Sequence, residues 1–232
     1  MGSMSPLPVP RWHAADVLFA LTLVGLGVAP GEGARPPRGP VAVRATEVVA
    51  PCVRAAVAAF PGVTDGRVAV EVGPLVPGAD VLVGSAVEVT RALEAGTAAV
   101  GTDVVLARIP WALYLAPGIP VPRSAAELAR SDAEVFVLGG DAAHEARRHL
   151  QAIAPGRVRD ARSEDVAGAL VVAGPLSLAR PGERIALDVP PMEAQAAIGA
   201  PGPGSAAARD LLSFLTSGRG LSAFAACGEA SQ

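Results

Sequence analysis

Polar side chains gather at two turns of this chain. In the first, a β-type run ends at Thr46-Glu47-Val48 before an Ala-rich helical stretch. In the second, Gly139-Gly140-Asp141-Ala142 joins a strand to a helix that begins near His144. A strand–turn–helix leaves backbone N–H groups pointing outward at the helix start, so residues 47–50 and 140–143 are suited to holding an anion. Ser85 closes a third apolar run and adds a hydroxyl. Brought face to face across a cleft, Glu47 and Asp141 form an acid/base pair, although Asp141 also has the place of a helix cap.

His144 and His149 are five apart on one helical stretch, so they point to different faces and cannot chelate as a pair one turn apart. His144, in the first turn, is the one placed to touch a ligand. Cys52 also lies in a first turn, where the helix dipole favours a thiolate, but no base is near it in sequence and a buried packing role is expected. No Ser-His-Asp order, metal cluster or nucleotide loop is present, so no catalytic residue, metal or cofactor is expected. The runs EARRH and RVRDARSED mix their signs and read as solvated faces.

Short apolar runs alternating with Ala-rich helical stretches position these groups, the pattern of a mixed α/β protein. Strands are expected at 41–45, 67–72 and 79–85, and helices at 51–60 and 87–96. Residues 103–118 join two β-type runs through Pro110 without a polar turn, as a segment passing from one sheet into another would. A helix capped by Ser124 is expected at 124–130, a strand, Gly-Gly turn and helix at 133–153, and a short helix and strand at 163–171. A strand at 183–191 leads to two closing helices, the first capped by Ser205, with a break at Ser217-Gly218.

Half of the 232 residues are apolar and only 3% are aromatic, so the core must be built from Ala, Val and Leu. Few rings, a net charge of −3 and arginines interspersed with acids argue against nucleic acid as a partner. The basic side chains are all Arg, and Lys and Asn are missing, as in the coding of a GC-rich genome. Two cysteines, Cys52 and Cys227, are too few for a disulfide framework and leave a single bridge open. The run Val17–Ala29, preceded by Arg11 and followed by small residues, has the order of a secretory signal and is too short to span a bilayer. Export to a periplasmic or extracellular space is therefore expected, with residues 30–40 as a tail too poor in apolar side chains to order itself.

Four stretches in order, RATEVVAPCVRAAVAAF, GADVLVGSAVEVTRALEAGT, DVVLARIPWALYLAPGIPVPRSAAELAR and AAARDLLSFLTSGRGLSAFAACG, resemble the periplasmic solute-binding proteins of ABC importers, the molybdate-binding branch in particular. The resemblance runs from about residue 40 to the end. It implies an α/β, two-lobed type II periplasmic-binding-protein fold with two crossover strands. Residues 1–39 are then a leader and tail, 40–108 with 184–232 the first lobe, and 109–183 the second. VVLARIPWALYL and ERIALDV would be the crossovers, with the closing helices packed on the first lobe. It further implies a monomeric, non-enzymatic receptor that takes a small solute or oxyanion and presents it to an ABC permease. An enzyme, or a ligand-free interaction module on the same fold, is the alternative.

The departures from that family fall on its side-chain donors. Alignment through Phe60 places Val48 where molybdate binders carry a donor Ser, and VEVGPLVPGADV runs from strand to strand where a second Ser loop is expected. The family's tyrosine falls near LVVAG, which has no hydroxyl, and Glu47 would repel an oxyanion by several kcal/mol if both were desolvated. The ligand-binding residues expected from the resemblance are thus Thr46, Glu47, Val48, Ser85, Gly140, Asp141, Ala142 and His144, around an altered ligand.

Overall fold

The computed structural model describes residues 40–61, 68–115, 125–161, 171–175, 183–200 and 206–229. The leader-like run Val17–Ala29 and its tail, the caps expected at Ser124 and Ser205, and the helix expected from residue 163 lie outside them.

The first sheet begins with β1 (Val41–Ala45), β2 (Val68–Val72) and β3 (Val81–Ser85), with β1 parallel to both others. All five residues of β3 are buried, as befits a strand covered on both faces. Helix α1 (Ala50–Ala58) follows β1, with Pro51 in its first turn where no intrahelical N–H is needed. Helix α2 (Ala86–Glu94) follows β3 directly.

β4 (Val104–Ile109) is continuous with β5 (Trp111–Leu115) except at Pro110, yet the two strands belong to different sheets. Proline has no N–H for a ladder and a fixed φ, so the run changes sheet where Pro110 breaks it.

The second sheet has the order β7-β6-β8-β5-β9, formed with β6 (Val135–Val137), β7 (Val158–Asp160), β8 (Val171–Pro175) and β9 (Glu183–Ala186). Helices α3 (Ala125–Arg130) and α4 (His144–Ile153) lie in this part of the chain. The strand expected at 183–191 stops at Ala186, before Pro190-Pro191. Because β9 pairs with β5, residues 184–186 lie on the second sheet, and the return to the first sheet comes only after them.

That return is made by β10 (Met192–Ile198), a strand absent from the sequence reading. It runs antiparallel between β3 and β4, completing the order β2-β1-β3-β10-β4. Ala194, Ala196 and Ala197 have no exposed surface, so small residues from a poor strand former fill the middle of the sheet.

The closing helices, α5 (Ala206–Leu215) and α6 (Gly218–Glu229), pack on this sheet: α5 against β10, and α6 against β4 and α1. Leu211, Leu215 and Phe224 bury at most 1% exposed side chains in the same core as Val43 and Val53. Ser217 caps α6 by accepting from the Gly220 N–H, 3.2 Å away. A Cβ at Gly220 would overlap the Phe214 carbonyl, so only glycine allows the two helices this close an approach. Cys52 of α1 and Cys227 of α6 form a disulfide with Cα atoms 5.0 Å apart, correcting the expectation of a merely packed thiol. Closing a loop of 175 residues restricts the unfolded chain by roughly 3–5 kcal/mol.

Candidate functional site

A cavity of about 540 Å³ opens between the two sheets, at the C-terminal ends of their parallel strands. Its first wall comes from the ends of β1 and β2 and the first turn of α2: Thr46, Glu47, Val48, Gly73, Pro74 and Glu88. Its second wall is Leu138 to Asp141 after β6, Arg147 of α4, and Asp160 and Ala161 at the end of β7.

On the first wall, Thr46 and Ser85 end neighbouring parallel strands, and both are buried. Ser85 caps α2 and forms a capping box with Glu88: its Oγ accepts from the Glu88 N–H at 3.3 Å, while the Ser85 N–H donates to Glu88 Oε2 at 2.8 Å. The same Oε2 also accepts from Ser85 Oγ at 2.8 Å and from Thr46 Oγ1 at 3.0 Å. One carboxylate oxygen thus gathers two hydroxyls and a backbone N–H. The Val49 and Ala50 N–H groups, expected to face an anion, donate instead to the Thr46 carbonyl at 3.1 and 3.0 Å as the chain turns into α1.

On the second wall, Gly139 and Gly140 have φ of 122° and 51°, a pair of left-handed values that side chains resist. A Cβ on Gly139 would also sit 3.3 Å from Trp111 and 3.4 Å from Val48, so this turn is wedged where residues of both sheets meet. A 3₁₀ turn, Gly140–Ala143, follows before α4. It moves the cap position to Ala143, which makes no side-chain cap bond, so Asp141 does not cap α4 as expected. The Asp141 carboxylate reaches across to Arg91 of α2 in an ion pair.

Arg147 belongs to EARRH, a run whose mixed signs predict a solvated face, yet its side chain is only 22% exposed. Its Nη2 donates to the Gly140 carbonyl at 3.0 Å, and its Nε lies 2.6 Å from Asp160 Oδ1. The Nε–H is not directed along that line, so the contact is an ion pair without a hydrogen bond, and the buried Nε makes none elsewhere.

Of the residues expected to bind ligand, Thr46, Glu47, Val48, Gly140 and Asp141 line the cavity. Ser85 lies just behind the wall, holding Glu88, while Ala142 and His144 are outside the lining and His144 is exposed. Glu47 and Asp141 face the cavity from opposite walls, but Asp141 is engaged by Arg91. Sequence reasoning missed Glu88, Arg147 and Asp160. Only Glu88 carries a local signature, the Ser-x-x-Glu spacing of a capping box. Among the described residues, no three His, Cys, Asp or Glu side chains are grouped to hold a metal, and no helix is long and apolar enough to cross a membrane.

The two sheets, their antiparallel inserted strands and the crevice between them define the two-lobed α/β fold of type II periplasmic binding proteins. Among solved structures, the chain is similar to Peb3 from Campylobacter jejuni, with a TM-score of 0.66 and 13% identity over 81% of this chain and 98% of that one. It is likewise similar to the periplasmic molybdate-binding protein of Azotobacter vinelandii, with a TM-score of 0.64 and 15% identity over 81% and 97% of the two chains. For the sulfate-binding protein SubI from Mycobacterium tuberculosis H37Rv the values are 0.65 and 18%, over 82% and 86%. No family profile and no curated protein matches the sequence.

Proposed function

We propose that this chain is an exported solute-binding protein that captures a small molecule between two lobes and presents the closed form to the permease of an ABC importer. The observation that carries the reading is the cavity of about 540 Å³, walled by both sheets, in a fold shared with molybdate- and sulfate-binding proteins. A solute touching both walls favours the closed form only by the extent to which it binds that form better. Hinge motion is assigned to Pro110 and to residues 187–191, the two passages between the sheets. A disulfide between α1 and α6 fits an oxidising compartment, in keeping with the leader-like run.

A thermal-shift panel of small solutes tests this reading, since a ligand of the native state raises stability by about 2.7 kcal/mol at a hundredfold excess over Kd. The solute that raises the melting temperature is expected to contract the small-angle scattering profile. A second reading, a ligand-free interaction module, is favoured by one observation: Glu88 already takes up the hydroxyl donors of the first wall. A panel without any shift would select it.

A further inference from the structure

The contacts of Ser85 with Glu88 are those of an ordinary capping box, but the third donor is not part of any cap. Thr46 Oγ1 comes from the residue that follows β1, 42 residues away in sequence, and donates to the same Glu88 Oε2 that Ser85 already holds. Thr46 and Ser85 are 6% and 2% exposed, so their hydroxyls sit in a largely buried recess at the cavity wall. There a carboxylate at the positive end of α2 receives charge-assisted bonds from three donors. Two hydroxyls and a helix-start N–H converging on one anionic oxygen is the donor set by which a protein grips a free oxyanion. Here the anion is covalently part of the chain.

We propose that Glu88 is a resident anion that occupies the oxyanion cradle of the cleft, making it the residue that sets the pocket against free tetrahedral oxyanions. The inference rests on the solute-binding reading of the cavity. Glu88 itself lines that cavity, so an entering sulfate or molybdate meets a carboxylate in place of donors. The rest of the lining does not offset it: Arg147, the one cation among the lining residues, is already paired with Asp160, Asp141 is paired with Arg91, and Glu47 adds a further carboxylate. Like charges brought together in a partly desolvated site cost several kcal/mol, which corresponds to a loss of affinity of about a hundredfold or more.

The test is titration of the full chain with sodium sulfate and sodium molybdate against chloride at matched ionic strength, following thermal melting and the fluorescence of buried Trp111. The wild type is expected not to respond. Glu88→Ala, which frees Thr46 Oγ1 and both Ser85 donors, is expected to bind at least about a hundredfold more tightly than wild type. Adding Thr46→Val should reverse part of that gain. Because Glu88→Ala also removes half of a capping box, Glu88→Gln is measured beside it: the amide keeps an acceptor for the cap while removing the charge, and a smaller gain is expected.

Wild type that binds either oxyanion as tightly as the variants overturns the proposal. So does a Glu88→Ala protein with native circular dichroism and no gain, or, if that variant does not fold, a Glu88→Gln protein indistinguishable from wild type. The solute panel on wild type separates the two inferences. A response there to some other solute, with no oxyanion gain in the variants, removes the role of Glu88 and leaves the receptor reading standing.

Discussion

Both walls of the cleft follow one plan, a parallel strand, a turn and a helix start, but they satisfy their polar groups by opposite means. On the first wall, side-chain and backbone donors from Thr46 and Ser85 are filled by a carboxylate of α2, the helix that Ser85 introduces. On the second, two glycines with positive φ shape the turn, and a carboxylate from the end of β7 sits against the one cation, Arg147. Donors meet an acid in one wall and a base meets an acid in the other. Glu47 apart, the charges lining the recess are thus engaged by neighbouring groups, which distinguishes it from a cradle left open for an anion.

The largest expected effect breaks the second wall through its backbone. Gly139→Ala imposes a side chain at a φ of 122° and crowds Trp111 and Val48, and a loss of about 3 kcal/mol is expected by urea denaturation. A cost below about 1 kcal/mol would mean that the turn relaxes and that the wedge between the sheets is loose.

The first wall yields next. Ser85→Ala removes the α2 cap and a hydroxyl on Glu88, for an expected cost of about 2 kcal/mol. Thr46→Val, nearly the same shape, should cost about 1 kcal/mol. If the three groups form one network, the double substitution departs from additivity, and the coupling in a double-mutant cycle measures it.

The smallest effect is expected where the walls touch. Arg91 and Asp141 are more than half exposed, so Arg91→Ala should change stability by less than about 0.5 kcal/mol. The pair joins the two walls, so the same substitution is expected to shift the small-angle scattering of the ligand-free protein toward a wider form. An unchanged profile would show that the pair does not bias closure.

How much of this was legible before the structure depends on whether the signal is local. Alternating Val and Ala marks β1, and a Pro at the first turn marks α1. Pro110, without polar neighbours, marked the passage between sheets because proline interrupts a ladder wherever it stands. β10 was illegible for a physical reason: Met-Glu-Ala-Gln-Ala-Ala-Ile carries no β-branched residue before Ile198, and a strand buried by neighbours on both edges needs no propensity of its own. Arg147 and Asp160 belong to runs of mixed charge that read as solvent-facing, and only tertiary pairing distinguishes them from their neighbours. The Ser85-x-x-Glu88 spacing is visible in the letters, but that Thr46 shares the same oxygen is a fact of strand adjacency.

The placement of β10 has a consequence for how the molecule is assembled at synthesis. β3 and β4 do not pair with each other: the strand supplied by residues 192–198 lies between them, as the only sheet partner of β4 among the described strands and the second of β3 beside β1. A growing chain can therefore gather the whole second sheet while the first still consists of a three-stranded fragment and an orphan strand with open edges. The sheet begun by β1 is joined only when residues 192–198 arrive, and a nascent polypeptide stopped before residue 192 carries that sheet in two unjoined pieces.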